Sequence, residues 1–251
     1  MHSRFCCLTL LFLLGQCQTS GPATTGPAVA TEPVEMRDSV RLDVPAITQH
    51  RESLSGAASV EMVFRYWGES RYSQLEIASA LVWKFRENKR FYKSHTLFQI
   101  RSGKTADEMD WSSYPGSGTG YIREFLEPIA PTENHRIQHL PRNTRAIQEL
   151  EEKRLAQLKE SVNRGIPVIV HQWVDSSRES QRFRVVTGFD SRNGMIYLND
   201  PASGPIKMKD SEFLYLWQVD EVWLPYNSIV FNKSDARQIK QGELKVELEL
   251  P

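Results

Sequence analysis

Apolar residues first crowd together between Gly56 and Trp67, where Ala57, Ala58, Val60, Met62, Val63, Phe64, Tyr66 and Trp67 cover nearly every face of a helix. A helix that is apolar all round belongs inside a protein, and Gly68 is the residue type that ends one. Ser73 then caps a second helix, whose inner side is Leu75, Ile77, Ala78, Leu81 and Val82. Tyr121 to Leu126 reads as a short helix. A longer one follows, capped by Asn143 or Thr144 and stopped at Gly165, with Ile147, Leu150, Leu155, Leu158 and Val162 as one stripe. The period then changes from helical to extended. Ile166 to Trp173, Phe183 to Phe189 and Met195 to Asn199 are separated by the turn-forming runs Asp175–Ser180 and Asp190–Gly194, which predicts an antiparallel meander. Ser39 to Pro45 alternates as a short entry strand. Helices ahead of a sheet define an α+β arrangement. Residues 86–120 mix cations, aromatics and a Gly/Ser loop and yield no assignment.

The chain begins differently. His2 and Arg4 precede the apolar run Phe5 to Leu14, which is too short to span a bilayer and matches the core of a secretory signal. Leu14-Gly15-Gln16-Cys17 follows, and then a stretch to Val34 rich in Thr, Pro, Gly and Ala. A hydrophobic run ending in cysteine before such a tether resembles a bacterial lipoprotein signal, in which the cysteine is acylated. That implies a signal over residues 1–16, lipidation at Cys17, a tether over 17–36 and a domain over 37–251. Gln16 departs from the small residue usual in such signals, and the alternative is an ordinary secretory signal cut within residues 16–30. Either expectation places the domain outside the cytoplasm, membrane-anchored in the first case and periplasmic or extracellular in the second.

Composition narrows the chemistry. The 251 residues carry 31 Lys and Arg against 31 Asp and Glu, mixed along the chain. Bulk charge therefore points to no nucleic-acid partner, and to a membrane only through an N-terminal lipid. All three cysteines (Cys6, Cys7 and Cys17) lie in the leader. The domain can form no disulfide and mount no catalytic thiolate.

Three segments then read together: Gln49-His50-Arg51-Glu52-Ser53-Leu54-Ser55-Gly56, Gly165-Ile166-Pro167-Val168-Ile169-Val170, and Gln181-Arg182-Phe183-Arg184-Val185-Val186-Thr187-Gly188-Phe189-Asp190 leading to Asn199-Asp200-Pro201. In order and spacing, residues 42–205 resemble the C39-like peptidase family, a branch of the papain-like cysteine proteases. The resemblance implies a papain-like fold with a central helix packed on an antiparallel sheet. It carries Gln49 onto the oxyanion-stabilising position, Ser55 onto the nucleophilic cysteine, Arg182 onto the catalytic histidine and Asp200 onto that histidine's acidic partner.

The two supporting positions keep their residue types and the two working ones do not. Serine needs a base to become a nucleophile, and a guanidinium does not give up its proton in proteins. An Arg182–Asp200 ion pair would replace the lost contact. The expected function is a non-catalytic domain binding a peptide or protein segment in the remnant cleft, with no cofactor. Two alternatives stand beside it: an active hydrolase using Ser55 with His171 as base, and a purely structural envelope module. His171 is the candidate base because the meander would pair it across the hairpin near Arg182 or Arg184, facing the cleft. Ser55 taken alone is also a candidate cap for its helix. His135 and His139 lack a third ligand, so no metal site is expected.

Overall fold

The computed structural model describes residues 35–233. The expected signal, Cys17 and nearly all of the tether lie outside the described residues, as does the chain beyond Lys233.

In chain order the elements are β1 (Ser39–Arg41), α1 (Ser55–Tyr66), α2 (Gln74–Lys84), α3 (Lys89–Tyr92), α4 (His95–Arg101), α5 (Thr119–Leu126), β2 (Thr132–His135), α6 (Thr144–Asn163), β3 (Val168–Trp173), β4 (Gln181–Asp190), β5 (Met195–Asp200), β6 (Gly204–Lys209), α7 (Asp210–Trp217) and β7 (Ser228–Phe231). One antiparallel sheet of seven strands runs β2-β7-β3-β4-β5-β6. β4 is the long strand. β3 pairs with its first part, Gln181 to Val186, and β1 takes over from Gly188 to Asp190. This handover needs a glycine, because a Cβ on Gly188 would run into the Val40 carbonyl oxygen.

Strand side chains alternate between faces, and the sheet here is covered on both. Ile169, Phe183, Val185 and Ile229 join α1, α2 and α5 in one core. Val168, Val170, Val186 and Ile196 join α6 and α7 in the other. The expectation of helices followed by sheet therefore holds in sequence, while in space helices lie on either side. α1 is the apolar-all-round helix expected, with Ala57, Val60, Met62 and Phe64 fully buried. α2 begins at Ser73 through a capping box with Glu76, in which each side chain bonds the other's backbone N–H. Asn143 caps α6, and Gly165 closes it at φ +84°.

The stretch 86–120 resolves into two short helices and two 3-10 turns, at Ala106–Glu108 and Trp111–Ser113. Phe91, Leu97 and Ile100 pin it to the α1 side of the molecule.

Candidate functional site

The site forms where α1 meets the start of β4. A 3-10 turn, Glu52–Leu54, runs directly into α1, so Ser55 already has helical backbone angles (φ −54°, ψ −37°). Ser55 therefore does not cap the helix. Leu54 occupies the cap position, with no side-chain cap. The Ser55 hydroxyl instead accepts a hydrogen bond from the Phe183 backbone N–H at 3.3 Å, fixing the helix end to β4. The following glycine permits this approach, because a Cβ on Gly56 would lie 3.1 Å from Ile122 Cδ1 and 3.2 Å from the Phe183 ring.

Gln49 is held beside the same end of the sheet. Its N–H donates to the Pro201 carbonyl at 2.8 Å, one residue past Asp200. The loop is clamped by Gln74, whose side chain accepts from His50 N–H at 2.9 Å and donates to the Thr48 carbonyl at 2.9 Å. Gln74 is placed in turn by Glu61, a buried carboxylate that accepts the Gln74 N–H and pairs with Arg65. The Gln49 side-chain oxygen is buried with no partner among the described residues.

Asp200 lies at the end of β5, buried to 1% exposure. Its expected partner is present, with Arg182 Nη1 3.3 Å from Oδ1, but this is the weaker of two pairs. Arg184 Nε sits 2.7 Å from Oδ2 and is itself only 3% exposed. The rest of the Arg184 fork donates to Gln172 Oε1 and to the carbonyls of Trp173 and Val174. Gln172 then donates to the Phe213 carbonyl on α7. Backbone N–H groups of Ala202 and Ser203 complete the carboxylate's partners. Burial alone would raise the Asp200 pKa. The Arg184 bond, the Ala202 N–H and the charges of both arginines outweigh it, and the group stays below its ordinary value of 3.8.

His171 pairs across the hairpin at the position between the two arginines. The β3–β4 register pairs it with Phe183, with Gln172 opposite Arg182 and Val170 opposite Arg184. Alternation therefore turns His171 to the α1 face, whereas Arg182 and Arg184 share the other face with Gln172. The imidazole packs against the Phe183 ring at 4.6 Å between centroids, and its Nδ1 is buried without a partner. Burial pushes its pKa down to about 4. The described bonds of Ser55 include none to His171. His135 bonds Glu133 on β2, and no group of three His, Cys, Asp or Glu able to hold a metal occurs among the described residues.

Ser55 thus meets the β4 backbone from the α1 side, Gln49 is tied to the residue after Asp200, and Arg182 pairs with Asp200 from the opposite face of β4. Two partners had gone unread. Arg184 was legible in principle, because it lies two residues from Arg182 on one strand and so shares its face. Gln74 carried no signal, since its role depends on where the Gln49 loop folds. A cavity of about 360 Å³ opens beside that loop, lined by His50, Arg51, Leu75, Asp107, Asp110 and Trp111.

The Peptidase C39-like family model matches residues 41–228. The chain belongs to this family of C39-like peptidase domains. Among solved structures it is similar to a double-glycine-motif protease from an AMS/PCAT transporter in complex with the leader peptide, with 19% identity and a TM-score of 0.43, covering 76% of this chain and 93% of that one. It is also similar to a protein from Bacillus anthracis described as a C39-like peptidase, with 13% identity and a TM-score of 0.41, covering 78% and 98%. No curated protein matches the chain.

Proposed function

We propose that this C39-like domain is non-catalytic, exported and lipid-anchored at Cys17, and that it holds a peptide or protein segment along the cleft beside Gln49. One observation carries the loss of catalysis. Ser55 Oγ bonds a backbone N–H, and the residue at the base position is an arginine paired with Asp200. A general base must reach the hydroxyl proton and be able to accept it. Arg182 cannot accept a proton. His171, with a pKa near 4 and no carboxylate or carbonyl on Nδ1, is a weak base without an orienting partner.

The open cavity beside His50 supports a binding role, since its lining combines the apolar Leu75, Met109 and Trp111 with the charged Arg51, Asp107 and Asp110. A second reading, a structural envelope module, is favoured by the burial of Ser55 to 6% exposure and by Arg182 lying across Asp200.

One pair of assays separates the readings. The full chain is incubated with a peptide library at pH 7.5, with cleavage followed by mass spectrometry and binding by fluorescence polarisation. The proposal expects no cleavage beyond that of Ser55→Ala, and binding weakened by Asp107→Lys or Arg51→Glu. Cleavage abolished by Ser55→Ala would overturn it, and absence of any peptide binding would favour the structural module.

A further inference from the structure

Net neutrality hides a local concentration of charge. Residues 84–104 contain seven Lys and Arg against the single Glu87, in a chain whose 31 basic and 31 acidic residues otherwise cancel. The structure turns that segment into a surface. Phe91, Leu97 and Ile100, at 0%, 1% and 4% exposure, anchor α3 and α4 to the core together with the buried Thr96 and Gln99.

On the outward side lie two aromatic rings that the core does not use. Phe98 is 65% exposed and Tyr92 is 56% exposed, the two most exposed large hydrophobic side chains among the described residues. The His95 ring stacks on Phe98 with an interplanar angle of 18°. Lys89 on α3, Lys93 just after it and Arg101 on α4 are exposed as well. Glu87, paired with Arg86, is the one acid within the segment, and Asp110 lies close enough to His95 to feel its charge. Asp107 and Asp110 line the neighbouring cavity, and Glu108 is folded back onto Thr105.

Exposed rings cost free energy in water, and a lone surface aromatic is unremarkable. Two exposed rings on helices that also carry three exposed cations are a different arrangement. Aromatic bodies sit at the boundary between headgroups and acyl chains, while lysine and arginine stems lie along apolar surface and hold their charges at anionic headgroups. Each cation near such a surface strengthens binding by about 1 kcal/mol, which is about fivefold.

We propose that the outer face of α3 and α4 is a membrane-docking surface that rests on an anionic bilayer, with Phe98 and Tyr92 entering the interface and Lys89, Lys93 and Arg101 on the headgroups. This contact is additional to any lipid at Cys17. It does not depend on whether the cleft is catalytic. A bilayer fits better than an acidic polypeptide because the cations come with two exposed rings, which an acidic chain would leave in water and a headgroup–acyl boundary would cover.

The test is sedimentation of the full chain with vesicles of phosphatidylcholine alone or mixed with phosphatidylglycerol. The apolar run at residues 5–14 is common to every variant, so differences between variants belong to α3 and α4. The proposal expects tighter binding to the anionic vesicles, weakened by 0.5 M NaCl. Lys89→Glu with Lys93→Glu should lower that binding at least thirtyfold, and Phe98→Ser about tenfold, with thermal unfolding unchanged because all three side chains are exposed. Equal binding to both vesicle types would overturn the proposal. So would unchanged binding by the variants, or binding to a soluble polyanion such as polyglutamate in preference to the anionic vesicles.

Discussion

Asp200 gives the sharpest test of what the site has become. Its carboxylate is 1% exposed and meets Arg184, 3% exposed, at 2.7 Å. In Asp200→Asn the shape is kept and the charge removed, leaving a buried guanidinium without its counter-ion. Breaking a buried pair from one side costs about 3–5 kcal/mol. Arg184 retains Gln172 Oε1 and the carbonyls of Trp173 and Val174, so the lower end, about 3 kcal/mol, is expected. For a domain of this size that corresponds to a fall in Tm of about 6–12 °C. Arg182→Gln, which removes the longer 3.3 Å pair, should cost about 1 kcal/mol or less. Urea unfolding at pH 7.5, followed by tryptophan fluorescence, measures both. If Asp200→Asn cost under 1 kcal/mol, or if Arg182→Gln cost as much as Asp200→Asn, the view of Asp200 as an anchor for Arg184 would fail.

Three further outcomes follow from the same geometry. His171 is neutral when folded, with a pKa near 4 against an ordinary 6.5, so the unfolded chain takes up the proton first as pH falls. Its contribution is fully present above pH 6.5 and is lost as pH falls toward 4, by about 2.5 kcal/mol between pH 7.5 and 4.5. Unfolding of His171→Leu should lack that part of the acid sensitivity, and an unchanged pH dependence would refute it. Gly188→Ala should destabilise by about 1–3 kcal/mol, because the new Cβ meets the Val40 carbonyl where β1 crosses β4. A cost near zero in the same melts would count against that close approach. Ser73→Ala, which removes the reciprocal cap of α2, should cost about 1 kcal/mol and leave the peptide-binding assay unchanged.

The long elements were legible because their periods are long enough to register. α6 shows its stripe over 20 residues, and the meander of β3, β4 and β5 shows both its alternation and its turn chemistry. α3 and α4 were not, since four and seven residues give no period to read. β2 and β7 pair across almost a hundred residues, a partnership that no local pattern encodes.

At the site, three interactions were only partly legible. Ser55 resembles a cap from its neighbours, yet the preceding 3-10 turn carries helical geometry through it and frees its hydroxyl for β4. Hairpin reasoning put His171 near the arginines, and the register sets it between them, opposite Phe183 and on the α1 face, but that reasoning did not show which groups surround its ring. The ion pair with Arg182 was anticipated, but the deeper pair belongs to Arg184, because burial favours the arginine whose three nitrogens all find acceptors. Whole-chain charge was likewise a poor guide to residues 84–104, where the sum over the chain cancels a local excess.

The central claim is that Ser55 has no base. Labelling of the folded full chain with a serine-reactive fluorophosphonate at pH 7.5, read by peptide mass spectrometry, tests it most directly. The account predicts no adduct at Ser55 beyond the background of other exposed serines. An adduct at Ser55 that disappears in His171→Ala would contradict it.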